Sequence, residues 1–327
     1  MHQSNSINND DNSNASHTSN RCIPTFLSEL DKALKGGIRV GTITEVVGKA
    51  GVGKTQLGLQ LCIAAAHYQR GSIYIDTEQK LSVQRLQEMA REQWYHKTII
   101  ENRCTNHVGT EDCLKAVQRV LENVSVHQPQ SSVDLFEDIS KVEEEVSSAL
   151  QNSISPARNG DERQKSRYPI QLLILDSIAA PFKREFASGA GAQRASMLLQ
   201  LAQILKRIAQ EWNIAVVTMN QVDFSPIGNT IMDGNGVGSR GSMVQERRNR
   251  GAAMGTAWHH CVSTRLFFEH SRDPHFLNNG RCDFEDESKK LYREKARTVT
   301  ITKSNQVGKH VIPFHINKLG IVATRQL

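Results

Sequence analysis

With 327 residues, 38% of them apolar, the chain can bury one large core plus appendages, and no run approaches the roughly 18 consecutive apolar residues of a membrane helix. Cys22, Cys62, Cys104, Cys113, Cys261 and Cys282 form no C-x-x-C pair, and the amino terminus shows no secretory or transit pattern. These features argue against a zinc ribbon, a disulfide framework and a membrane partner, and favour an intracellular protein. The net charge of +6 is uneven, since residues 181–327 carry 21 Lys/Arg against 12 Asp/Glu and residues 1–180 carry 19 against 22. A polyanion would therefore meet the carboxyl half, although an ordinary solvated face explains a mild excess equally well.

Residues 1–20 are mostly Asn, Ser, Asp and His, too polar to offset the entropy of ordering, and are expected to form a disordered tail before a core at 21–327. The β-branched run Ile43 to Val47 predicts a strand, and Thr55 to Tyr68 predicts a helix. Between them lies Gly48-Lys49-Ala50-Gly51-Val52-Gly53-Lys54-Thr55, a Gly-x4-Gly-Lys-Thr sequence in strand-loop-helix context. Glycines there let successive backbone N–H groups turn toward phosphate oxygens, and the helix adds its positive end. Lys54 would reach the β- and γ-phosphates and the Thr55 hydroxyl would ligate Mg²⁺, so a nucleoside triphosphate is the expected ligand.

A second strand, Ser72 to Asp76, runs into Thr77-Glu78, and a Glu just past a strand tip could polarise an attacking water. Glu78 precedes a predicted helix, Val83 to Arg91, so a helix-start acid is the alternative reading. A further helix is predicted over Glu111 to Asn123. The polar stretch at 125–168, with Glu143-Glu144-Glu145 and Gln151-Asn152-Ser153-Ile154-Ser155-Pro156, is expected to be a disordered insertion holding one short helix near Ile139 to Leu150, outside the core. Leu172-Leu173-Ile174-Leu175-Asp176 has the form of a buried strand delivering a carboxylate beside Mg²⁺. Ala192 to Trp212 predicts an amphipathic helix with apolar residues at 198, 201, 204, 205 and 208. The next strand, Ile214 to Thr218, leads to Asn220-Gln221, whose amides could report a γ-phosphate.

Beyond Gln221 the chain is rich in Gly and Arg, with Arg240, Arg247, Arg248 and Arg250 among them, a composition suited to flexible phosphate contacts or to a solvated loop. Strands over Val262 to Phe268, Thr298 to Lys303 and His310 to Ile316 end the pattern. The order is that of an α/β fold, a mostly parallel sheet with crossover helices and antiparallel strands at the end. His259-His260-Cys261 lacks a second cluster at ligand spacing, and Trp212 and Trp258 suit core packing. The basic run Lys289 to Arg297 serves equally as an import signal, a DNA edge or an exposed face.

Together these elements resemble the RecA core of the eukaryotic Rad-type recombinases and their paralogues. The resemblance rests on Leu30-Asp31-Lys32-Ala33-Leu34-Lys35-Gly36-Gly37-Ile38, on Gly48 to Leu61, on Tyr74-Ile75-Asp76-Thr77-Glu78 and on Asn220-Gln221-Val222, and it spans residues 22–124 and 169–327. Leu175 to Phe186 is most similar to the subfamily of the third X-ray-repair cross-complementing paralogue. The resemblance implies a RecA-like P-loop ATPase core with ATP and Mg²⁺ bound between protomers. It also implies a nuclear role in homologous-recombination repair, with single-stranded DNA, recombination intermediates and another RecA-core subunit as partners. It makes Lys54, Glu78 and Gln221 catalytic, the last as γ-phosphate sensor, Thr55 and Asp176 the metal residues, and Arg85 the adenine-stacking arginine. Two DNA loops would fall near Arg184 to Arg194 and between Val222 and Ala253.

Departures qualify what is carried over. No counterpart of the family's small amino-terminal domain precedes Arg21, and no Phe-x-x-Ala stands upstream, Phe26-Leu27-Ser28-Glu29 being nearest. Thr302-Lys303-Ser304-Asn305-Gln306 lacks the acidic, Pro-bearing cap of the filament formers. A paralogue assisting recombinase assembly is therefore expected, ahead of a self-filamenting strand-exchange recombinase or a phosphotransfer kinase.

Overall fold

The computed structural model describes residues 21–101, 110–154, 168–186, 191–221, 255–271 and 296–324. Strands β1 (Cys22–Ile23) and β2 (Ile38–Arg39) pair antiparallel around helix α1 (Ser28–Ala33). The main sheet is built from β3 (Ile43–Gly48), β4 (Gly71–Asp76), β5 (Val124–His127), β6 (Ile170–Asp176), β7 (Ala215–Gln221), β8 (Thr264–His270), β9 (Arg297–Ser304), β10 (Val311–Asn317) and β11 (Gly320–Ala323), in the order β11-β10-β9-β8-β3-β7-β6-β4-β5. From β8 to β5 every pairing is parallel, and from β8 to β11 every pairing is antiparallel.

Helices cover both faces, because strands such as Leu172 to Leu175 are apolar on both sides and need two layers over them. One face holds α1, α2 (Lys54–His67), α3 (Val83–Glu101) and α4 (Thr110–Glu122), packed through Leu30, Leu57, Leu61, Met89 and Val117 against Val46, Tyr74, Ile174 and Met219. The other holds α5 (Ser132–Ile154), α7 (Gly191–Glu211) and α8 (Gly255–Cys261), packed through Ile139, Leu201, Leu205 and Trp258 against Ile43, Ile75, Leu173 and Val216. A short α6 (Ala180–Glu185) follows β6. Helix α2 is buried almost all round, as its apolar Leu-Gly-Leu-Gln-Leu-Cys-Ile-Ala-Ala-Ala run requires. Gly58 on it is needed, since an added Cβ would stand 2.7 Å from Met219 Cε.

The core strands and helices agree with expectation to within a few residues, except that α3 runs ten residues past Arg91. The expected insertion needs correction. Residues 124–127 form the edge strand β5, and α5 occupies 132–154 with Leu135, Ile139, Val142 and Val146 buried in the core. The acidic surface of α5 concealed a four-residue apolar seam at i, i+4, i+7 and i+11 spacing, a helical stripe that mean polarity does not reveal. The tail at 1–20 and the rest of that stretch, 155–167, lie outside the described residues.

Candidate functional site

Parallel register brings the carboxyl ends of four strands to one edge. Gly48 of β3 is paired with Gln221 of β7, and Asp76 of β4 with Asp176 of β6, which is next to Met219 of β7. Alternation along β7 then separates two neighbours. Asn220 shares the α8 face with Val216, whereas Gln221 shares the α2 face with Met219.

The loop from Gly48 to Thr55 turns on two left-handed glycines, Gly51 (φ 76°) and Gly53 (φ 112°). Gly53 is the N-cap of α2, which has no side-chain cap and no acidic residue in its first turn, so its positive end faces the loop. Space is tight elsewhere. A Cβ at Gly48 would lie 2.5 Å from the Phe268 carbonyl oxygen, and one at Gly53 would lie 2.7 Å from Ile316 Cδ1. At Gly51 nothing lies within 4 Å. Lys54 is buried and its ammonium donates to the Gly48 and Lys49 carbonyls, 2.8 Å each. Lys49 and Ala50 are exposed, and Val52 is buried beneath the loop. This donor set fits a polyphosphate, with aligned backbone N–H groups, a buried ammonium and room where a side chain would intrude.

Asp176 sits beside it. The Thr55 hydroxyl donates to Asp176 Oδ2 at 2.7 Å and the Tyr74 hydroxyl donates to the same oxygen at 2.8 Å. Burial pushes the Asp176 carboxyl up, only partly offset by these two donors, and burial beside Asp176 pushes the Tyr74 phenol well up. A hydroxyl and a carboxylate in contact, with negative charge that burial penalises, could hold Mg²⁺ between them. Tyr74 was legible only as a core aromatic in the strand. Its contact with Asp176 follows from equal parity on adjacent strands, Tyr74 pairing with Ile174 two residues before Asp176.

Glu78 stands just past β4, with its carboxylate held by Ser177 Oγ at 2.8 Å and by the Lys80 ammonium. Burial raises its carboxyl, but the hydrogen bonds from Lys80 and Ser177 outweigh that and hold it below the ordinary value. Glu78 and Gln221 line one cavity of about 380 Å³ together with Lys80, Ser177, Lys183 and Arg184. Arg85 donates through Nε to Gln56 Oε1 at 2.9 Å, through Nη2 to the Asn317 carbonyl, and pairs with Glu88 at 2.6 Å. It therefore joins the start of α2 and α3 to the β10–β11 turn, a wall beside the Gly48–Thr55 loop.

The first expected DNA loop falls between two helices. Arg184 belongs to α6 and donates to the Thr77 and Gln130 carbonyls at 3.2 and 3.3 Å, and Arg194 is exposed in the first turn of α7. Only residues 186–190 separate the two helices. The second loop, with Arg240, Arg247, Arg248 and Arg250, lies outside the described residues, as does the basic run at 289–295.

On the opposite face of the sheet the structure shows an ion pair that sequence reasoning missed. Glu45 Oε2 accepts from Arg265 Nε at 2.6 Å, its register partner on β8, while Glu45 Oε1 accepts from the Trp258 indole at 2.9 Å and from the Asn220 amide at 3.2 Å. Arg265 also meets His259 Nδ1 at 2.9 Å, and Lys303 donates to the His259 carbonyl. The signal was a Glu inside the apolar strand Ile43 to Val47, which burial obliges to find a donor. Trp258 is in the core as expected, and among the described residues no group of three His, Cys, Asp or Glu could hold a metal ion.

A sequence profile of the family described as Rad51 matches residues 19–127 and 154–272. The chain is 26% identical over 314 residues to the DNA repair protein XRCC3 homolog of Arabidopsis thaliana, covering 94% of each. It is 28% identical over 262 residues to the human DNA repair protein RAD51 homolog 2, covering 76% of this chain and 60% of that protein. It is 29% identical over 256 residues to the mouse DNA repair protein XRCC3, covering 75% of this chain and 62% of that protein.

Proposed function

Since the chain belongs to the Rad51 family, we propose that it is a recombinase paralogue of homologous-recombination DNA repair whose Gly48–Thr55 loop binds ATP with Mg²⁺. The observation that carries this reading is the strand register that sets Gly48, Gln221 and Asp176 along one edge, with Thr55 already in contact with Asp176. In it, the backbone N–H groups of Gly51 to Thr55 and the Lys54 ammonium hold the phosphates, and Thr55 with Asp176 holds the metal. Arg85 packs on the base. Bound there, the nucleotide would supply a terminal phosphoryl group to water, and Mg²⁺ would offset the charge that develops on its oxygens.

Glu78 orients that water and takes its proton, and Gln221, on the same cavity, hydrogen-bonds the terminal phosphate. Slow hydrolysis fits a role in which ATP gates an interface with another RecA-core subunit. A self-filamenting recombinase is not favoured, since the proteins it resembles include XRCC3 and RAD51 homolog 2 and Lys303 at the expected cap is turned onto His259. Single-stranded DNA would meet Arg184, Arg194 and the Arg240, Arg247, Arg248 and Arg250 segment, and the site of action would be the nucleus. The test is titration of a fluorescent ATP analogue with Mg²⁺. Lys54→Ala should weaken binding at least tenfold, about 1.4 kcal/mol, while the circular dichroism stays that of wild type. Equal affinity in a folded variant would refute the reading.

A further inference from the structure

The carboxylate of Glu78 has both oxygens engaged, Oε1 by the Ser177 hydroxyl and Oε2 by the Lys80 ammonium. Side chains two residues apart do not face each other in a helix; here a tight turn brings them together. Gln79 takes a left-handed φ of 55°, and Asp76 fixes the turn by accepting the Lys80 N–H at Oδ1 (3.1 Å) and the Leu81 N–H at Oδ2 (2.8 Å). The Lys80 ammonium is thus delivered onto Glu78 by the backbone.

The cavity beyond it is cationic. It is lined by Lys80, Lys183 and Arg184 with Glu78 as the one carboxylate among the described lining residues. Among the described residues the neighbouring acids hold other partners as well: Asp76 the turn, Asp176 Thr55 and Tyr74, and Glu185 the backbone N–H and hydroxyl of Ser132 at the start of α5. Lys80 itself is 65% exposed at its side chain, so its pairing with Glu78 is cheap to break and open to competition by anions.

We propose that Lys80 is a latch on Glu78 that keeps basal hydrolysis slow, and that a phosphate-bearing single strand entering the cleft of Lys80, Lys183 and Arg184 releases it. The inference rests on the ATPase reading of the same site. In the step concerned, a water oxygen bonds to the terminal phosphorus while the bond to the bridging oxygen breaks. The water proton passes to Glu78, and diphosphate-bearing nucleotide and inorganic phosphate leave. A carboxylate that accepts from an ammonium and a hydroxyl keeps only part of its acceptor capacity and is a weaker base for that proton. Phosphates drawn into the cleft would compete for Lys80, leaving Ser177 to position the freed carboxylate. Lys80 is therefore a positioning residue, acting only through Glu78.

The experiment measures ATP hydrolysis by the full chain with Mg²⁺ across pH, with and without a single-stranded oligothymidylate. Lys80→Met should raise basal kcat about two- to fivefold, leave KM unchanged, move the acid limb of the pH–rate profile upward and remove most of the stimulation by oligothymidylate. Lys80→Arg, which returns a cation to Glu78, should bring the rate and the limb back toward wild type. An unchanged or lower kcat in Lys80→Met, or an acid limb that stays in place, overturns the latch. Carboxyl carbon-13 NMR of the nucleotide-free chain provides a readout that needs no turnover, since the Glu78 titration must move upward in Lys80→Met and a fixed titration overturns the proposal. Absence of analogue binding to wild type and variants would sink the ATPase reading alone and leave the NMR titration to judge the contact.

Discussion

Glu45 and Asp176 are both buried carboxylates of the central sheet, on β3 and β6, and they face opposite sides of it. Glu45 receives a guanidinium, an indole and an amide from β8, α8 and β7, so its charge is neutralised and its oxygens are filled. Among the described residues Asp176 is held by two neutral hydroxyls, and the Lys54 ammonium of the adjacent loop donates to loop carbonyls. The first arrangement is complete without a ligand. The second is only partly offset by its donors, and a dication would relieve the charge that burial penalises. Under the proposed function, the satisfied carboxylate belongs to the scaffold and the one at the sheet edge to the chemistry.

The comparison breaks first at Glu45. Glu45→Ala should cost about 3–5 kcal/mol, because Arg265 stays buried with its main partner gone, and a urea denaturation curve reads this directly. Wild-type stability combined with lost hydrolysis would put Glu45 among the functional groups and end the distinction. Next in size, Glu78→Gln should keep ATP affinity and lower hydrolysis about 100-fold, or about 2.7 kcal/mol. A variant that retains the basal rate would make Glu78 a helix-start acid and shrink the proposed chemical region to the Gly48–Thr55 loop.

The smallest effect is thermal. The Asp176 carboxyl is raised in the fold, so the folded chain holds that proton more tightly than the unfolded one. The resulting stability is present below the ordinary carboxylate range and lost as pH rises through the raised value. Asp176→Asn should therefore raise Tm slightly at neutral pH without nucleotide, and the gain should vanish in acid. With Mg²⁺ and ATP the order should reverse, since only wild type gains the metal. Scanning fluorimetry across pH checks both arms, and a variant that melts below wild type at neutral pH without nucleotide would show that Asp176 is already compensated.

Much of the site was legible because it is local. The loop from Gly48 to Thr55 carries its own turns and helix start within eight residues, and Asp76 and Asp176 stand at the ends of apolar runs that had to be central strands. Helix α5 was misread because the Glu143 to Glu145 surface dominates its composition while its apolar seam is one residue per turn. Partners were not legible. Ser177 beside Glu78 is 99 residues away in the chain, and Arg265 beside Glu45 is 220 away.

By itself the sequence determined the fold class, the turns of the Gly48–Thr55 loop and the position of acids at strand ends, since periodicity, glycine conformational freedom and strand-end position are properties of short segments. Tertiary structure alone decided which acid meets a guanidinium and which meets only hydroxyls. Parallel register places Glu45 opposite Arg265 and Asp176 within reach of Thr55 and Tyr74, and the sign and number of donors around a buried carboxylate depend on strands that meet only when the sheet closes.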